Sequence, residues 1–323
     1  MNTLSTREMA MKAILETARK DERLVIVSPD AMLAARAVPF QKEFPNRLIE
    51  VGIAEQCAVD MAAGLASVGM KPIVITYAGF LTMRACEMMR TFVAYPQANV
   101  KFIGLNGGML GGEREGVTHQ FYEDLGILRS MPGITILTPA DGNQAYQATL
   151  DMLGQEGPAY LRLASGREPQ VFEAPAPLPQ GGVERLADYG SDVAIFASGY
   201  VMDRALEAAK ALKDRGVGAS VINVTTLKPL DEAAVAAELA RTGCAVTVED
   251  HNIYGALGSA ICEVACAWHP CKVVRLGLGD LYPRSGPAAA LLDAYGLAVG
   301  DIVKAAYEAM EGKRREGPGG RGQ

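Results

Sequence analysis

The chain has 323 residues, enough at ordinary domain size for about two domains with buried cores. At 49% hydrophobic and 21% charged it lies in the globular range, and its formal charge of −6, with Lys and Arg scattered except at Lys313 to Arg315, argues against a nucleic-acid binder. No apolar run is long enough to span a bilayer, and Met1 to Lys20 carries charges where a signal peptide has its apolar core, so a soluble cytoplasmic protein is expected, with no membrane partner.

In chain order, apolar strands alternate with helical stretches: LVIVS at Leu24, LIEVGI at Leu48, PIVITY at Pro72, VKFIG at Val100, ITILT at Ile134 and AYLRL at Ala159. Ala54 to Val68 and Phe80 to Tyr95 read as helices between them. VFEAPAPLPQGG, from Val171, is rich in Pro and Gly and reads as an interdomain linker. A second series follows, with strands VAIFAS, GASVINV, CAVTVE and KVVRL and helices over Met202 to Arg215, Asp231 to Arg241, Leu257 to Trp268 and Asp301 to Glu311. The expected fold is therefore α/β, with two domains that are each a mostly parallel sheet flanked by helices. The boundaries fall at 1–170, a linker over 171–185, 186–311, and a flexible tail over 312–323.

Six cysteines are too sparse for a secreted disulfide framework. Cys262, Cys266, His269 and Cys271 lie close together but fit no paired CxxC pattern, and ICEVACAW reads as a helix with small buried residues one turn apart.

Three features of the first domain fall at or beyond the C-terminal ends of strands, the edge where α/β sheets build their sites. Glu55 lies where the alternation of Ile49, Val51 and Ile53 gives way to Ala54, Ala58, Ala62 and Ala66 at helical spacing. Tyr77 and Phe80 follow the next strand, in TYAGF, and His119 follows the one after. Taken singly, Glu55 could merely complement a helix N-terminus, Phe80 could be core, and His119 could be structural. The loop Gly107 to Gly116 has five glycines yet matches neither GxGxxG nor GxxxxGK[ST], so no nicotinamide or ATP site is indicated.

The chain nevertheless resembles the C-terminal part of transketolase, in the form divided over two polypeptides. The resemblance runs from about Ser5 to Glu308 and rests on SPD at Ser28, FPNRLIEVGIAEQ at Phe44, GLASVGMKPI at Gly64, EGVTHQFYEDLGILRSMPGITILTPAD at Glu115, VEDHNIYGALGSAICE at Val248 and DLYPRSG at Asp280. It implies a pyrimidine-binding domain followed by a transketolase C-terminal domain, in an enzyme that uses thiamine diphosphate. Glu55 then matches the glutamate that contacts N1′ of the aminopyrimidine; a carboxyl group in an apolar pocket shares its proton with that nitrogen and so prepares the thiazolium carbon, the electron sink of the reaction. Phe80 matches the aromatic that stacks on the pyrimidine, with Tyr77 nearby. His119 matches the family histidine that faces substrate and handles hydroxyl protons.

The resemblance also shows what is missing. The GDG-to-Asn motif that holds the diphosphate through Mg²⁺ is absent, since Gly279-Asp280 continues with Leu281. A partner N-terminal subunit is therefore implied, in an α2β2-type assembly inactive without it. Glu115 stands where the family has Asp, Gly107 where a histidine helps to bind a sugar phosphate, Ser165 near a phosphate-binding arginine, and Met83 and Cys86 in place of aromatics. Arg36, Arg84, Arg162 and Arg167 are the candidates for a rebuilt substrate-anion site. The leading reading is transfer of a two-carbon ketol unit from a ketose to an aldose. Its rivals are the beta subunit of a 2-oxo-acid dehydrogenase, a 1-deoxyxylulose-5-phosphate synthase-like enzyme, and a degenerate regulatory subunit.

Overall fold

A computed structural model describes residues 4–109, 111, 115–166 and 168–315, the last four by backbone alone. The expected Arg167 and most of the expected tail lie outside the described residues, and the final helix, Val299–Arg315, runs past the anticipated start of that tail at 312.

Among the described residues the first half builds strands β1 (Leu24–Ser28), β2 (Leu48–Glu50), β3 (Lys71–Tyr77), β4 (Lys101–Leu105), β5 (Thr135–Leu137) and β6 (Ala159–Arg162). The second half builds β7 (Val183–Asp188), β8 (Val193–Ser198), β9 (Ala219–Val224), β10 (Thr226–Lys228), β11 (Cys244–Asn252) and β12 (Lys272–Leu278). The strand order is β10-β5-β6-β4-β3-β1-β2 in one sheet and β12-β11-β8-β9-β7 in the other. All pairs are parallel except β10 with β5 and β7 with β9. Fully buried strands such as LVIVS and VAIFAS explain the unbroken apolar runs, because helices cover both sheet faces.

Three local expectations are corrected. LIEVGI is a strand only as far as Glu50: Gly52 adopts φ +71°, turning the chain so that Ile53 is left exposed. Phe80 to Tyr95 is not one regular helix. Wide π turns at Phe80–Arg84 and Met89–Ala94, closed by Ala85 N–H to Phe80 C=O at 3.2 Å and Tyr95 N–H to Arg90 C=O at 2.9 Å, flank the short α segment Cys86–Met88. The proposed linker is partly fastened, since Val171 and Phe172 N–H donate to Asp141 Oδ2 at 2.8 and 2.7 Å and β7 already begins at Val183.

The two sheets share a polar seam. β10 joins the first sheet although it lies in the second half of the chain, and Thr138 N–H donates to Thr225 C=O at 2.7 Å. Among the described residues no helix is long and apolar enough to cross a membrane.

Candidate active site

Glu55 opens the helix Glu55–Ser67, whose Ala58, Val59 and Ala62 are buried against the sheet, and its own side chain is 2% exposed. Tyr77 ends β3, Phe80 opens the π turn after it, and His119 ends a 3₁₀ turn, Gly116–His119, in the long connection after β4. Their rings meet edge to face: Tyr77 to Phe80 with centroids 5.6 Å apart, Tyr77 to His119 at 5.0 Å and Phe80 to His119 at 5.4 Å. Thr118 Oγ1 lies 3.1 Å from His119 Nδ1. Phe121 backs Phe80 at 5.2 Å, and this approach requires Gly79, where a Cβ would sit 1.9 Å from Phe121 Cδ1.

Arg84 joins Glu55 to this cluster. Its Nη1 donates to both carboxylate oxygens of Glu55 at 2.8 Å, and its guanidinium lies 4.3 Å from the Phe80 ring centroid. The carboxylate is thus ion-paired rather than set in the wholly apolar pocket expected, because the π turn carries Arg84 back over Phe80. A cavity of about 680 Å³ opens beside them, bounded by Phe80, Met83, Arg84, Thr118, Phe121 and Tyr282.

The other arginines do not assemble with Arg84. Arg162 is buried, its Nε 2.9 Å from Asp124 Oδ2, and its Nη2 donates to Asp124 Oδ1, Phe121 C=O and Asp250 C=O at 3.0 to 3.2 Å. Burial opposes its charge, yet Asp124 raises its pKa overall, so it is a structural cation and not an anion site. Gly107 belongs to the same arrangement: a Cβ there would lie 2.5 Å from Arg162 Cγ, which leaves no room for the family histidine. Arg36, at φ +59°, lines a separate groove between the helix Thr6–Ala18 and Pro39, 4.0 Å from Glu8. Glu115 is exposed at the start of the 3₁₀ turn.

Four residues near the site are not singled out by the sequence analysis. Arg7 donates to Ala164 C=O at 2.9 Å and Ala34 C=O at 3.2 Å and reaches Asn106, tying the first helix to the connections that follow β6, β1 and β4. Phe121 could have been sought two residues beyond His119. Glu123, its pKa raised by burial, and Tyr282, from the far half of the chain, are placed only by tertiary contacts.

These groups suit the ring half of a thiamine cofactor: a buried carboxylate and an aromatic face already hold a planar nitrogen cation between them. They do not suit its charged end, for among the described residues no group of three His, Cys, Asp or Glu side chains is gathered as a metal site would need.

Fold and geometry together define an α/β protein whose ligand cleft opens at the strand ends of its first sheet. A family model described as the transketolase pyrimidine-binding domain matches residues 2–167, and one for the transketolase C-terminal domain matches residues 181–302. The chain is 36% identical over 307 residues to the 6-deoxy-6-sulfo-D-fructose transketolase subunit SqwH of Clostridium sp. (strain MSTE9), covering 95% of each. It is 33% identical to one of the apulose-4-phosphate transketolase subunits of Phocaeicola vulgatus, covering 95% of this chain and 98% of that one. A solved structure described as a split gene transketolase, inactive beta4 tetramer, superposes with a TM-score of 0.88 at 35% identity, covering 97% of this chain and all of that one. The chain belongs to the transketolase family, among its split subunits, and is thereby a thiamine-diphosphate-dependent transferase of transketolase type.

Proposed function

We propose that this chain is the C-terminal subunit of a cytoplasmic split transketolase that moves a two-carbon ketol unit from a ketose to an aldose, working with an N-terminal subunit in an α2β2 assembly. That partner holds the diphosphate and Mg²⁺. The observation that carries the reading is the seat of Arg84: a buried carboxylate at one edge and an aromatic face beneath form a receptor for a planar nitrogen cation, the recognition an aminopyrimidine requires. Thiamine diphosphate, when bound, supplies the nucleophilic carbon and the electron sink.

Each residue then has a task. Glu55 shares a proton with the pyrimidine N1′, for which its ion pair with Arg84 opens. Phe80 stacks on the ring, Tyr77 and Phe121 brace Phe80, and His119 passes protons to and from substrate hydroxyls. Glu115 receives a sugar hydroxyl, and Arg84, once released, is the cation for an anionic substrate group. Full-length similarity to split transketolase subunits supports this over a 2-oxo-acid dehydrogenase or a deoxyxylulose-phosphate synthase.

The test is reconstitution with an N-terminal subunit carrying GDG and a downstream Asn, assayed on phosphorylated and unphosphorylated ketoses. Glu55→Gln should lower kcat about 10²- to 10⁴-fold, the range for a lost acid–base group. Full turnover by that variant would favour the regulatory-subunit reading, and turnover by this chain alone would remove the need for a partner.

A further inference from the structure

His119 sits on a turn with little hold of its own. The 3₁₀ turn Gly116–His119 leaves Val117 and Thr118 exposed, and Thr118 Oγ1 reaches Glu115 C=O at 3.5 Å and His119 Nδ1 at 3.1 Å, both within the same segment. A short surface turn of this kind does not fix a ring by itself, so the position of His119 depends on the two residues that follow. Phe121 is fastened within the first half of the chain: its N–H donates to Gly108 C=O at 3.0 Å and its C=O accepts Gly108 N–H at 2.6 Å. Gln120 is fastened to the second half. Its side chain is buried, and Nε2 donates to Arg284 C=O at 3.1 Å, across 164 positions of sequence.

Arg284 belongs to the irregular connection 279–287 between β12 and the helix Ala288–Ala294. This connection spans the turn. At the start of the turn a Cβ on Gly116 would lie 3.9 Å from Ser285 Cβ, just past its end Gln120 meets Arg284, and Tyr282 stands in the wall of the cavity beside Phe80. The connection is anchored in its turn, since Arg284 N–H donates to Tyr295 Oη at 2.7 Å, immediately beyond that helix. A line of contacts therefore leads from Tyr295 through Arg284 and Gln120 to the backbone that carries His119.

At 1% exposure the Gln120 side chain offers a ligand almost no surface, so its part is indirect. The bond to Arg284 is neutral and directional, which suits holding an orientation. A rotation of the backbone between His119 and Gln120 would carry the imidazole out of its edge-to-face contacts with Tyr77 and Phe80, and a proton-transfer group displaced by a fraction of an ångström loses rate.

We propose that Gln120 is a positioning residue: through Arg284, the connection 279–287 holds the His119 turn against the ring cluster and so sets the geometry of proton transfer to the substrate. The catalytic consequence rests on the function proposed above; the fastening of His119 does not.

NMR of the histidine rings in the full chain reads the fastening, because the chain has three histidines, His119, His251 and His269, and His119→Asn identifies the first signal. Gln120→Met keeps the bulk of the side chain and removes the donor. It should shift the His119 ring signal and leave those of His251 and His269 in place. Tyr295→Phe loosens the connection by a change in the second half alone, and should shift the His119 signal in the same direction by a smaller amount. In the reconstituted pair Gln120→Met should lower kcat about three- to tenfold, the worth of one hydrogen bond, with the ketose KM within about twofold of wild type.

A merely structural role gives another pattern, a lower Tm with all three histidine signals changing together. That pattern, an unchanged His119 signal in either variant, or a wild-type kcat in Gln120→Met would each overturn the proposal. Should Gln120→Met fail to fold, the Tyr295→Phe shift decides alone. A wild-type pair without transketolase activity would instead remove the function proposed above, and the ring signals would still decide whether Gln120 fastens His119.

Discussion

At Glu55 and Arg84 a buried carboxylate meets a half-exposed guanidinium whose other face rests on an aromatic ring. The geometry makes Arg84 a competitor for the receptor it occupies. Arg84→Met keeps the apolar stem and removes the charge. Stability should fall by about 1 kcal/mol, because Glu55 stays buried without its cation while solvent already screens the exposed partner. Calorimetry on the reconstituted pair should then show thiamine diphosphate binding up to about tenfold tighter, as one charge-assisted contact no longer has to be broken. Weaker binding would mean that Arg84 helps to hold the cofactor and does not shield its seat. Arg162 teaches the opposite lesson: the same residue type, also close to the strand ends, is used up by Asp124.

At the scale of the element, the helix Gly142–Gly154 shows how one cap can serve two segments. Asp141 is fully buried; its Oδ1 accepts from Gln144 N–H at 2.8 Å, as an N-cap does, while Oδ2 takes Val171 and Phe172 N–H from the connection between the halves. Asp141→Ala should cost about 2–4 kcal/mol in urea unfolding, since it removes the cap and orphans two further donors. Asp141→Asn should recover part of that loss, and a change below about 0.5 kcal/mol for the Ala variant would show the connection to be held by other contacts. The π turn at Phe80–Arg84 is a comparable device: an extra residue in the turn brings Phe80 and Arg84 together over Glu55.

For the whole molecule, the seam between the sheets sets the pH response. His251 is fully buried; Gly126 N–H donates to its Nε2 at 3.3 Å and its Nδ1 lies 2.8 Å from Asn252 C=O, the pattern of a neutral ring protonated at Nδ1. Burial lowers its pKa to about 4, with Asp124 at 3.9 Å pulling the other way and Arg162 adding to the depression. Glu249, also buried, is pushed up to about 7 by burial, against the N–H groups of Gly258 and Leu257 that it accepts at 2.8 and 2.9 Å.

The signs differ. For His251 the unfolded chain binds the extra proton, so its contribution is full above the ordinary value of about 6.5 and is lost as pH falls toward 4. For Glu249 the folded chain binds the extra proton, so its contribution is full below the ordinary carboxyl value of 4.5 and is lost as pH rises through 7. Between about pH 4.5 and 6.5 the two slopes oppose each other. Relative to wild type, His251→Gln should therefore lose stability as pH rises through that window, and Glu249→Gln should gain it, each by up to about 1.4 kcal/mol per pH unit. Parallel curves for wild type and both variants would remove these two groups from the seam's electrostatics.

What the sequence determined by itself was most of the apolar strands, several of the helices and the identity of the family. LVIVS and VAIFAS are legible as short unbroken apolar runs and the helix Leu257–Trp268 by its repeating buried face, while collinear motifs such as FPNRLIEVGIAEQ and EGVTHQFYED carry the resemblance. What only the tertiary structure decided were the partners. Nothing near Thr226 tells that β10 completes the other half's sheet, nothing near Arg162 that Asp124 claims it, and nothing near Tyr282 that it stands beside Phe80. The physical reason is that periodicity records which face of an element is buried, whereas charge pairing and cavity walls depend on which distant side chain arrives there.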